Sequence, residues 1–95
     1  MFNFTKQSSE RYLITLDFTD VLATAETIAV KSVIAYLGIE NKTTDVITSS
    51  TIVGKTIVIG VHAGTNRNAY KITTIITTSL ANVFEEDILM EVEDI

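Results

Sequence analysis

About two fifths of this chain is threonine, isoleucine or valine, a density of β-branched side chains that restricts it to folds built mainly of strands. Branching at Cβ costs rotamer freedom in a helix, whereas the same side chains pack well on a pleated surface. They also come in short runs, and none approaches the roughly 20 apolar residues needed to cross a bilayer as a helix. A chain of 95 residues is long enough for one modest hydrophobic core. We therefore expect a single domain over residues 1–95, stable by a narrow margin.

Alternation is clearest over residues 56–61, where Ile57, Ile59 and Val61 share one face and Thr56, Val58 and Gly60 the other. Gly54-Lys55 before it fits a two-residue hairpin turn back to a strand over 46–53. Further strands are expected at 12–16, 27–36 and 70–78. A last strand puts Phe84, Ile88, Met90 and Val92 on one face and Glu85, Asp87, Glu91 and Glu93 on the other. The 27–36 segment is rich in alanine and could be helical, but Ile28, Val30, Ile34 and Tyr36 fall on a period of two. A bulge at Val33 would absorb the break in alternation. Asp17 and Asp20 can both cap the turn that follows the first strand, and Asp20 suits the N-cap of a single turn at 21–23. Residues 38–45 and 62–68 read as polar loops, and 79–82 as a short hairpin connection. Six or seven short strands with no long helical pattern point to two packed antiparallel sheets, with a barrel as the other solution. Residues 1–10 form a short N-terminal arm. Its two phenylalanines, Phe2 and Phe4, should tuck against a sheet edge or another subunit.

The residue inventory removes much chemistry. With no cysteine there is no disulfide, thiolate metal site or cysteine nucleophile. The single histidine, His62, cannot build a histidine-rich metal shell and reads as a rim residue. Asp17 with Asp20, and the run Glu85-Glu86-Asp87, lack the oxygen-ligand spacing of a calcium loop. Glu86, if it points inward, needs a cation such as Lys71 or Arg67. Gly54-Lys55-Thr56 has no upstream glycine and no following helix, so it is a turn and not a phosphate loop. No catalytic, metal or cofactor site is expected, and no small-molecule substrate.

Charge narrows the partners. The chain carries 12 acidic and 7 basic side chains, a net −5, which argues against nucleic acid and anionic membrane. The first residues carry no basic-then-apolar leader pattern, so a soluble product made in a cytoplasm is expected. Six acidic residues and no basic one lie between Glu85 and Ile95. Such a strand is either kept soluble by its charge or steers a basic partner. What remains is protein–protein contact, with Phe2, Phe4, Glu85, Asp87, Glu91 and Glu93 as candidate interface residues.

The second half of the chain also resembles a family of small tailed-bacteriophage and prophage virion proteins of the fiber-tail or head–tail adaptor type. The resemblance rests on Gly64, Tyr70-Lys71-Ile72-Thr73, Ile76-Thr77-Thr78-Ser79, Glu86, Ile88 and Val92. Tyr12, Asp17-Phe18, Val21-Leu22 and Glu26-Thr27-Ile28 extend it more loosely. Family members carry tryptophan near the first acidic pair and glycine after the Thr-Thr-Ser, where this chain has Phe18, Val21 and Leu80-Ala81-Asn82. The resemblance implies an immunoglobulin-like antiparallel β-sandwich that assembles with copies of itself or with other virion proteins in the neck or tail. It also implies a non-enzymatic structural role, location in the virion after synthesis in the bacterial cytoplasm, and a packing role for Tyr70. The other reading is a small phage- or bacterium-encoded module that binds protein or carbohydrate outside the virion, anti-host regulators included.

Overall fold

The computed structural model describes residues 2–95, the side chain of Phe2 excepted. In chain order the elements are β1 (Phe2–Lys6), β2 (Tyr12–Asp17), β3 (Ile28–Leu37), β4 (Glu40–Asn41), α1 (Thr43–Val46), β5 (Ile47–Val53), β6 (Thr56–Val61), β7 (Ala69–Thr78) and β8 (Val83–Val92). They make two sheets, ordered β1-β8-β7-β3-β4 and β2-β6-β5, packed as a sandwich. The pairings among the described residues are antiparallel except β1 with β8, which is parallel and sets Phe4 beside Met90 and Lys6 beside Val92.

The six strands expected from alternation are all present, and the structure adds β1, β4 and α1. The segment read as a polar loop is more ordered than its composition suggests. Asn41 Oδ1 accepts from the Thr43 N–H at 3.0 Å and from its hydroxyl at 2.7 Å. The turn that follows, with Val46 N–H on the Lys42 carbonyl at 3.3 Å, delivers Val46 fully into the core. Of the two acidic side chains expected to cap the turn after β2, it is Asp17 that does so, accepting from the Thr19 N–H at 2.9 Å. That turn buries Leu22.

β3 corrects an expectation. The bulge falls between Ile28 and Val30, not at Val33. Beyond it the phase is inverted: Val33 and Ala35 pair with the inward residues Thr74 and Ile72, while Val30 lies on the outer face, 60% exposed. Ile34 and Tyr36 go outward with it, opposite Thr73 and Lys71.

The core is a row of Ala35, Ile72 and Ile88 across the larger sheet, met by Leu16, Ile57, Ile59 and Val61 from the smaller one. Within it Thr74 is fully buried and its hydroxyl has no hydrogen-bond partner. An unpaired buried hydroxyl costs about 1–3 kcal/mol, and valine has the same shape without it. Thr74→Val should therefore stabilise the fold by about 1 kcal/mol, raising the thermal midpoint by about 4–8 °C. Calorimetry of the two proteins tests this, and a lowered midpoint would refute it.

A buried carboxylate ties the two loops at one end together. Glu26 is 2% exposed, and its carboxylate accepts from the Thr78 hydroxyl, from the Asn82 side-chain amide at 2.9 Å and from the Ala23 N–H at 3.0 Å. The Thr78 hydroxyl, then the Ala23 N–H and the Asn82 amide, hold its pKa below the ordinary glutamate value. A folded pKa below the unfolded one gives stability that is complete above the unfolded value and lost as pH falls through the folded value. Acid should thus lower the melting temperature progressively below the usual carboxylate range. Glu26→Gln should melt lower at neutral pH and show a flatter acid slope. Equal slopes for the two proteins would refute this assignment.

Candidate docking groove

The candidate interface residues do not gather in one place. Phe2's side chain lies outside the described residues. Phe4 is half-buried: β1 is a strand of the sheet, and the ring packs on the core and meets Tyr12 edge-on, centroids 6.3 Å apart. Glu85, Asp87 and Glu91 line the outer face of β8, where Asp87 pairs with Lys71 at 3.5 Å. Glu93 follows the strand and its N–H meets the Lys6 carbonyl at 2.9 Å. The last strand is not a simple sheet edge, because β7 covers one side of it and β1 covers residues 88–92 on the other.

That half-coverage borders a groove. The pairing of β1 starts with Phe2 opposite Ile88, so among the described residues no strand lies beside residues 83–87 of β8 on that side. Across from them runs β2, the outermost strand of the smaller sheet, paired only with β6. Between the two lies a groove of about 560 Å³ whose walls are residues 13–18 and Val21 on one side and Phe84, Glu85 and Glu86 on the other. A shallower extension of about 290 Å³ continues along β2 to Phe4 and Tyr12. Leu13, 74% exposed, and Val21, 50% exposed, give the wall an apolar character that solvent alone does not favour.

The electrostatics of the groove are one-sided. Asp17, Glu85 and Glu86 line it, and no basic side chain does. Glu86 points to the inner side of β8, as its parity requires, but Lys71 is engaged by Asp87 on the outer face. Glu86 makes no ion pair among the described residues. It tolerates this because it stands at the open end of the sandwich, half-buried.

His62 sits half-buried at the end of β6, its N–H on the Val46 carbonyl at 2.9 Å. Tyr70 is buried at the start of β7 and its hydroxyl accepts the Thr65 N–H at 3.0 Å. Among the described residues no helix is long and apolar enough to cross a membrane. The groove itself was not anticipated from the residues. A signal existed in β2, where Tyr12, Leu13, Ile14 and Leu16 put apolar side chains on both faces of an outermost strand.

Comparison with known proteins gives a family. A sequence model of the family described as podophage GP4 fiber-tail adaptor protein gp77 matches residues 6–91. No curated protein matches the chain. The match takes in every strand that builds the groove, from the end of β1 to β8. The chain belongs to the podophage GP4 fiber-tail adaptor family.

Proposed function

We propose that this chain is a non-enzymatic component of a phage virion that joins tail fibre to tail by protein–protein contact. It acts as one β-sandwich domain in several copies, at the tail or neck. The observation that carries the reading is the family match over residues 6–91 of a sandwich whose smaller sheet ends in the unpaired edge of β2. Flat threonine-rich faces and unpaired strand edges suit contact with other polypeptides. The acidic balance disfavours nucleic acid.

Inactivating the gene in the phage or prophage that encodes it should yield particles whose tails lack fibres, with the protein present in wild-type particles by mass spectrometry. Particles that keep their fibres without it would overturn the reading. Light scattering on the full chain should show a closed assembly of fixed copy number.

A further inference from the structure

We propose that the groove between β2 and residues 83–87 receives an extended segment of a different polypeptide, which adds as a strand and places a lysine or arginine against Glu86. The inference rests on the adaptor reading and names the kind of partner this site takes.

Three observations carry it. Among the described residues both walls are strand edges with unpaired backbone, β2 along its length and β8 over residues 83–87. An extended segment satisfies such edges with main-chain hydrogen bonds, whereas a helix has already spent its own on itself. The lining is apolar through Leu13, Ile14, Leu16, Phe18, Val21 and Phe84, so alternate side chains of the incoming strand find a dry surface. The third observation is charge. Asp17, Glu85 and Glu86 stand there without a lining cation, which calls for a basic residue on the guest.

The same charge argument weighs against a second copy as the occupant. Of the strands with an open edge, β2, β4 and β5 contain no lysine or arginine, the Lys6 ammonium of β1 is held by the Gln7 and Glu10 carbonyls, and that of Lys31 in β3 by the Ser50 hydroxyl. A copy docked by any of these strands would bring no uncommitted strand cation to Glu86. Unprotected edges of soluble proteins are usually blunted by lysine, proline or a bulge. β2 has none of these, and its pairing with β6 is regular throughout.

The test uses the full chain and three synthetic peptides: one alternating valine and lysine, one alternating valine and glutamate, and one with valines and lysines in separate blocks. Binding is read by fluorescence anisotropy, and backbone protection by amide hydrogen exchange. The alternating valine–lysine peptide should bind and slow exchange in residues 12–17 or 83–87, with the other two much weaker. Glu86→Lys should weaken that binding by roughly tenfold. Leu13→Asp, on the exposed face, tests the apolar wall without removing a core residue. Equal binding of all three peptides, protection confined to β4 or β5, or indifference to both variants would overturn the proposal.

Virion experiments separate this from the adaptor reading. If Glu86→Lys and Leu13→Asp phage still assemble fibres while null phage do not, the adaptor role stands and the groove is not its docking site. If null phage keep their fibres while the peptide results hold, the groove binds strands but the adaptor role fails.

Discussion

Ile72→Ala should cost about 3–5 kcal/mol, enough to leave most molecules of a domain this size close to unfolding. Ile72 is fully buried on β7, between Ala35 of β3 and Ile88 of β8, and residues of the opposing sheet close over it. The small residue beside it cannot fill the space left. A central strand flanked on both sides by ladders relaxes poorly, so most of the cavity should persist. Urea unfolding should show a large fall in midpoint with an unchanged slope. Ile34→Ala is the paired control. It removes the same atoms from the outer face of β3 and should cost under about 1 kcal/mol. Similar losses for the two would mean that β3 is not in the register described.

Gly64→Val should destabilise by about 3 kcal/mol or more, through two separate causes. Gly64 has φ +92°, a conformation that costs a side-chain-bearing residue about 1–3 kcal/mol. A Cβ there would also stand 2.8 Å from Val92 Cγ2 and 3.3 Å from the Tyr70 ring. Both neighbours are buried at the end of the core, so neither swings away freely. The loop cannot simply retreat either, because Thr65 N–H is bonded to the Tyr70 hydroxyl and Arg67 N–H to the Val92 carbonyl at 2.7 Å. Melting should fall by more than about 10 °C, with Gly64→Ala between it and the wild type. A valine variant that melts like the wild type would remove both causes together.

The strands were legible in the sequence wherever one face was apolar and the other polar. β6, β7 and β8 have that pattern, and their inward residues follow from parity alone. β3 does not. Its apolar residues occupy both parities, so the position of one bulge decided which set was buried, and the pairing with β7 fixed that bulge at Ile28–Val30. β1 carries two phenylalanines among polar residues and pairs with a strand from the far end of the chain, a contact that no local pattern encodes. The groove was illegible for the same reason. It lies beside the part of β8 that precedes the described β1 pairing, and it becomes visible only when strands from distant regions are set side by side. The acidic residues were plain to see, but their division between an outer face and the groove rim was not. Parity set Glu86 on the opposite face from Glu85 and Asp87, and that face is the inner one. Its expected cation is absent because Lys71 lies on the other side of the sheet.

The pairing of β1 with β8 also governs when this fold can be completed. Ser8 and Asp94 lie 86 positions apart, yet the Asp94 carboxylate accepts from the Ser8 N–H at 2.7 Å and from its hydroxyl at 2.8 Å. During synthesis β1 emerges first and waits for a partner that leaves the ribosome last. Closing so long a loop is slow, and sheets dominated by distant pairings fold in about milliseconds to seconds. Through that interval the nascent β8 stands with bare backbone along the side β1 will take. Glu85, Glu91 and Glu93 then act in time as much as in space: a strand carrying that much negative charge repels the identical strand of a neighbouring nascent chain, and is left for its own β1 to claim.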